Sequence, residues 1–469
     1  MQENSEETMK YHFENIGLIK EATIELGDLT ILTGPNNTGK TYIVYTIYGF
    51  LDTNVKYFSL GGAAKKIAQE LMLSGHAAMD PREMNFKAIF SAMADHYSKN
   101  LYEIFSAREE EFKGAKFSLE TGDPIAVLNN IEKIEQRIQE LYSKSTLSIR
   151  YHRAESPYIL FDFDGTKKES RLHHEAIERG VGSLISAMIL PKPYICVSER
   201  MGIPLFYRDL DIQKLAMMEH IQKSNNEKNR NPVLDLIDIW NKVNTRYALP
   251  IKDNIDFVRM IPEIIKGDSP PELAKLNDYI VEMAGGVYRH QPVEGLVFVS
   301  KPRSRSKFSL TTNLWSSSVK SLSSLYFYLK HAAAPGQLLI IDEPEAYLTP
   351  QNQIILARML AACVNKGIKV LVTTHSDFLI KEFNNLIMLH NLPEEERAKF
   401  MLRKGSPYKP GEMLNPDRVK AYLCQQKGGE KGVVVTPCSM NQYGMEVTSM
   451  DEAIDSINKT AHALMELIE

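Results

Sequence analysis

The residues best arranged for chemistry are Gly34, Pro35, Asn36, Asn37, Thr38, Gly39, Lys40 and Thr41: two glycines with four residues between them, then a lysine and a hydroxyl. Glycines let consecutive backbone N–H groups curl round an anion, and a helix beginning at the same point aims the positive end of its dipole there. Lys40 is then placed to reach β- and γ-phosphates and Thr41 to hold Mg2+, so the segment predicts a site for a nucleoside triphosphate, with ATP and Mg2+ as cofactors. Far along the chain, Leu338-Leu339-Ile340-Ile341 runs into Asp342-Glu343-Pro344. That is the form of a buried parallel strand whose carboxyl end opens on a ligand crevice. There Asp342 would order the metal's hydration shell and Glu343 would position and polarise the attacking water, since phosphoryl transfer depends mainly on positioning and charge neutralisation. A third run, Lys369 to Thr374, delivers His375 at its end, where a ring nitrogen can reach a γ-phosphate or the attacking water.

The elements that must position these groups are legible around them. Leu29 to Leu32 favours a strand ahead of the glycine loop, and Tyr42 to Leu51 favours a helix behind it. A helix-like stretch, Asn352 to Asn365, separates Glu343 from the His375 strand. The fold class that follows is α/β, a P-loop ATPase head with a mixed sheet, a helical insertion and a small α/β C-terminal tail.

The opening FENIGLIKEATIELGDLTILTGPNNTGKT, the IIDEPEAYLTP run and TTHSDFL resemble the ABC-type ATPases, in the branch shared by structural-maintenance-of-chromosomes and OLD-family heads. SERMGIPLFYRDLD, from Ser198 to Asp211, is similar to the Ser/Ala-Glu-Arg segment of compact defence ATPases, those of the PARIS anti-phage systems in particular. The resemblance implies heads that dimerise face to face around two ATP molecules, each capped by a serine-rich signature from the other subunit. The matching segment is Leu314 to Lys320, with Ser316, Ser317 and Ser318 at its centre, and it lacks the glycines of the family's Ser-Gly-Gly core. Glu345 to Pro350 corresponds to the loop that touches the partner head. The resemblance further implies an ATP-hydrolysing scaffold and sensor, a homo-oligomer beyond the dimer, that holds a separate Toprim nuclease effector until a phage trigger protein releases it.

Composition fits such a role. The chain has 469 residues, 43% hydrophobic and 24% charged, enough for a large core and two to four domains. A formal charge of -4 gives no general attraction for nucleic acid, though Arg303 to Lys307 is a short basic cluster. The acidic stretch from Gln2 to Thr8 has no signal-peptide character and no apolar run approaches a bilayer span, so a cytoplasmic protein without a membrane partner is expected. Four scattered cysteines read as free thiols.

The organisation expected is 1–51 for the N-terminal half of the head, 52–300 for a helical insertion with interspersed head strands, 301–390 for the C-terminal half, and 391–469 for an α/β extension. Within the insertion, Ala63 to Met72, Asn85 to Phe105 and Val127 to Tyr142 carry helical spacing, whereas Phe117 to Leu119, Ser148 to Arg153 and Tyr158 to Asp164 read as hairpin strands of the head sheet. Leu414 to Asp417 reads as a helix start and Val433 to Thr436 as a strand. Sustained heptads are missing, which argues against a long coiled-coil arm. After His375 there is no Asp-x-Asp; the triplets at Asp162-Phe163-Asp164 and Asp209-Leu210-Asp211 come earlier, so a metal-dependent nuclease in this tail is not expected. Two further readings stand beside the sensor: a DNA-repair or chromosome-type ATPase acting directly on DNA, and a membrane-transport motor, against which the large insertion and the divergent signature argue.

Overall fold

The computed structural model describes residues 9–57, 62–80, 84–122, 147–152, 158–163, 186, 189–207, 247–300, 308–403, 405–426, 432–447 and 458–465. Strands β1 (Met9–Ile16) and β2 (Ile19–Glu25) form a hairpin, and β3 (Leu29–Thr33) leads into the glycine loop. Next come β4 (His76–Met79), β5 (Lys116–Thr121), β6 (Leu147–His152), β7 (Tyr158–Phe163) and β8 (Pro193–Cys196). The chain continues through β9 (Gly286–Gln291), β10 (Gly295–Ser300), β11 (Ser309–Thr311), β12 (Leu338–Asp342), β13 (Lys369–Thr374), β14 (Val419–Gln425) and β15 (Val433–Pro437).

Nine of these build one sheet, in the order β5-β1-β2-β15-β14-β3-β13-β12-β8. Its parallel part, β14-β3-β13-β12-β8, is aliphatic and covered, as strands buried on both faces must be; every residue of β3 and β12 is buried. Its antiparallel part, β5-β1-β2, alternates buried and exposed positions, with Tyr11, Phe13 and Ile16 turned inward from β1. Phe117 on β5 gathers Tyr11, Phe13, Phe50 and Tyr97 around its ring at centroid distances of 4.9 to 6.1 Å, tying the sheet to the helices Lys40–Tyr57 and Phe86–Lys99. The fold is mixed α/β.

Three expectations are modified by strand pairing. β6 and β7 do not join the head sheet; they pair with β4 in a separate order, β4-β7-β6. Leu414 to Asp417 starts no helix but a single 3-10 turn, Pro416–Arg418, that enters β14. The tail strands β14 and β15 also do not stand apart as an extension. β14 lies parallel to β3, with Ala421 opposite Ile31, and β15 lies parallel to β2. The reason is that β3, the loop-bearing strand, has a ladder edge on the hairpin side that β14 fills, and a strand pairs wherever such an edge is offered, whatever its distance along the chain. The readings at Val127 to Tyr142, Asp209 to Asp211, Arg303 to Lys307 and the acidic N-terminal stretch lie outside the described residues, as do Arg153 and Asp164 from the hairpin readings. No described helix is long and apolar enough to cross a membrane.

Candidate functional site

The glycine loop is shaped by its neighbours. Its φ angles reach 137° at Gly34, 61° at Asn37 and 79° at Gly39, values that glycine adopts freely and asparagine tolerates. A Cβ at Gly34 would overlap the backbone carbonyl of Cys424 on β14, and one at Gly39 would stand 2.8 Å from Ile19 Cδ1. Lys40 opens the following helix, and its Nζ donates to the carbonyls of Gly34 and Pro35, each at 2.8 Å. Thr38 Oγ1 donates to the same Pro35 carbonyl at 2.8 Å. With only 6% of its surface exposed, the Lys40 ammonium is pulled below the usual lysine range, chiefly by burial, against the opposing pull of Cys424, Glu343, Asp342 and Glu345.

The strand order brings the second motif to this loop. Thr41 Oγ1 donates to Asp342 Oδ2 at 3.0 Å, and Thr373 Oγ1 at the end of β13 donates to the other oxygen, Oδ1. Asp342 has no exposed surface. Burial is the largest influence on its carboxyl and pushes it up to about 6; the two hydroxyls act downward, and the charges of Glu343 and Glu199 act upward. Glu343 itself sits at φ 49°, a left-handed conformation that costs a non-glycine residue roughly 1–3 kcal/mol and persists only where surroundings enforce it. Here its N–H donates to Thr373 Oγ1 at 2.9 Å. Arg200 enforces the rest. Buried beside the end of β8, it donates through Nη1 to the carbonyls of Val197 (3.0 Å) and Asp342 (2.9 Å), and through Nη2 to those of Glu343 (2.9 Å) and Pro344 (3.3 Å).

His375 follows β13, and Ser376 caps the helix behind it by accepting from Leu379 N–H. The imidazole is 44% exposed; Nδ1 lies 4.0 Å from Glu343 Oε1 and 3.2 Å from Glu345 Oε1. Loop, acids and histidine therefore converge on the carboxyl ends of β3, β12 and β13, where open α/β sheets take their ligands. The donor set fits Mg2+. No group of three or more His, Cys, Asp or Glu side chains capable of holding a metal occurs among the described residues. One carboxylate beside one hydroxyl is the sparse protein contribution suited to an ion that keeps several waters and takes the rest of its ligands from phosphates.

The serine-rich turn is a separate matter. Ser316 caps the helix Ser317–His331 by accepting from Val319 N–H at 3.4 Å, and its Oγ lies 3.1 Å from that of Ser318. Among the described residues, the side-chain hydrogen bonds of these serines stay within their own turn, so the chain by itself does not bring them to the phosphate loop. Ser316 and Ser317 face outward beside Leu314, which is 67% exposed.

Three residues at the site were given no part in the nucleotide chemistry from the sequence: Arg200, Glu199 and Glu345. The first two sit in the Ser-Glu-Arg turn after β8, where Glu199 Oε2 accepts from Ser198 Oγ at 3.0 Å and from Tyr45 OH at 3.4 Å. Their sequence signal was an acid and an arginine directly after the short Tyr194-Ile195-Cys196-Val197 run. A cavity of about 1110 Å³ between β2, β14 and β15, lined by Glu25, Lys420, Tyr422 and Cys438 among others, contains none of the motif residues; the chemistry of the loop locates the site better than the size of a hollow.

The Smc head domain with an extended coiled coil, bound to the C-terminal domain of ScpA and derived from Pyrococcus furiosus, is similar at 13% identity. The alignment covers 97% of this chain and 99% of that one, with a TM-score of 0.36. The SMC head domain from Thermotoga maritima is similar at 11% identity over 92% and 99% of the two chains, with a TM-score of 0.32. Likenesses this distant assign nothing to the chain. No curated protein matches it. A family model for the AAA ATPase domain matches residues 9–380, a span holding the glycine loop, the Asp342 strand end and His375, and the chain belongs to the AAA ATPase domain family.

Proposed function

We propose that the chain is an ATPase of the ABC type, in which two copies close face to face around ATP and Mg2+. The observation that carries this reading is the 3.0 Å contact from Thr41 Oγ1 to Asp342 Oδ2, which joins the phosphate loop to the acid-bearing strand end. When bound, Mg2+ and the triphosphate supply the neutralising charge and the reacting phosphorus. Lys40 leaves its two loop carbonyls for phosphate oxygens; Thr41 and Asp342 hold the metal and its waters; Glu343 orients the attacking water; His375 meets the same centre from β13. Ser316, Ser317 and Ser318 reach the γ-phosphate of the other copy's nucleotide, which accounts for hydroxyls that face outward from this one.

Sequence resemblance alone supports the biological setting: a cytoplasmic, AriA-like ATPase subunit of a PARIS-type anti-phage system. In that setting the oligomer holds a separate Toprim nuclease, the AriB-like effector, and a phage trigger protein releases it. Glu343→Gln tests the catalytic part. The variant should bind ATP as tightly as the parent, accumulate as a nucleotide-bound dimer by mass photometry, and turn over at least a hundredfold more slowly. A fall of less than tenfold would remove Glu343 from the role. Affinity capture before and after phage infection tests the setting, which fails if no Toprim protein is retained before infection.

A further inference from the structure

Glu345 lies three residues past the metal-side acid, on the loop after β12, with 5% of its surface exposed. Its Oε1 accepts from Thr374 Oγ1 at 2.8 Å and from the His375 backbone N–H at 2.7 Å, and stands 3.2 Å from His375 Nδ1. Its Oε2 is buried and has no hydrogen-bond partner among the described residues. Leaving a buried carboxyl oxygen unpaired costs about 1–3 kcal/mol, so the lopsided use of Oε1 calls for a reason.

The hydroxyl of Thr374 narrows that reason. Its oxygen already accepts from Ser376 N–H at 2.9 Å, which leaves its proton for Glu345 Oε1. With a hydroxyl and a backbone N–H both donating to it, Oε1 is an acceptor. A ring nitrogen 3.2 Å from an acceptor oxygen is favoured there when it carries the proton, because two lone pairs would otherwise face each other.

We propose that Glu345 is a positioning residue that holds the neutral His375 ring in the tautomer protonated on Nδ1, leaving Nε2 as a proton acceptor for the hydrolytic site. The role of His375 in hydrolysis rests on the function proposed above; the tautomer does not. A carboxylate serving a histidine in this way fixes both the ring's orientation and which nitrogen is basic, without touching the substrate.

The test is the tautomer itself, read from long-range proton–nitrogen spectra of the full chain labelled with 15N-histidine at pH 8, with His375→Gln to assign the signal. Nδ1 of the parent should show the shift of a protonated nitrogen. Glu345→Gln, whose amide oxygen still accepts, should keep that pattern and turn over within threefold of the parent. Glu345→Ala should move the proton to Nε2 or mix the forms, and lower kcat at least tenfold with the KM for ATP unchanged. A parent ring protonated on Nε2 overturns the proposal outright, even if Glu345→Ala fails to fold. An unchanged spectrum in a folded Glu345→Ala does the same. Wild-type turnover by His375→Ala would instead sink the catalytic reading of the histidine, an outcome separable from the spectrum.

Discussion

The phosphate loop and the serine-rich turn are both short polar segments at the start of a helix, and they are built in opposite ways. Around the loop these groups are committed: Lys40 to two carbonyls, Thr41 and Thr373 to Asp342, Arg200 to four carbonyls of the strand ends. At the turn the hydroxyls of Ser316 and Ser318 face only one another and the helix cap. Buried polar groups must be satisfied, so a chain packs the chemistry it can complete alone. What it leaves at the surface is free to be completed by something else.

The contrast can be broken at its strong end first. Lys40→Ala should weaken ATP binding at least a hundredfold by calorimetry, because a desolvated cation facing phosphates is lost. Unfolding should shift by no more than a few degrees, since the side chain contributes little packing. A retained affinity would mean that the loop is committed to structure rather than to phosphate.

The weak end is sharpened by complementation. A Lys40→Ala chain and a Ser317→Arg chain, mixed and allowed to exchange, should regain about a quarter of wild-type ATPase activity. Half the dimers are then mixed, and each has one of two sites with both loop and signature intact. Exchange between the two chains is checked by mass measurement. Silence after confirmed exchange would return Ser316 to Ser318 to the part of a helix cap.

The smallest effect comes from a group outside both segments. Asp253 accepts from Tyr48 OH at 2.7 Å, and its carboxyl is pushed up to about 6, first by burial and then by Asp52. A carboxyl raised in the folded state favours folding while protonated. Its contribution is full below about pH 4 and is lost as pH rises through 6, because the unfolded chain gives up the proton first. Asp253→Asn should therefore raise stability at pH 7 by about 1–3 kcal/mol in denaturant titrations, and the gain should vanish near pH 4. A constant offset across that range would show that the substitution acts through packing.

What the sequence made legible was local. Gly34 to Thr41 needs only its own residue types to declare an anion cradle, and Asp342-Glu343 after four aliphatics declares a strand end. What stayed hidden depends on partners far off in the chain. Arg200 reads only as the arginine of a Ser-Glu-Arg segment until β8 lies beside β12, and Glu345 only as the start of a loop toward a partner head until β13 delivers Thr374 and His375 to it. The hairpin β6-β7 carried a strand pattern whose partner, β4, is a four-residue run too short to announce itself. Strand identity lives in a few residues; strand neighbourhood lives in the pairing edges of the whole molecule.

The insertion of β14 and β15 between β3 and the β1-β2 hairpin has a consequence in time. The hairpin and β3 are made first, yet they cannot share a sheet until residues 419–437 have been synthesised and threaded between them. Such long-range closure makes folding slow and leaves open strand edges exposed during synthesis. It also means that the wall against which Gly34 sits, the Cys424 carbonyl, arrives after every motif residue has left the ribosome. A nascent chain thus carries all the letters of the nucleotide site without the backbone that shapes it, and competence to bind is deferred until the last strands dock.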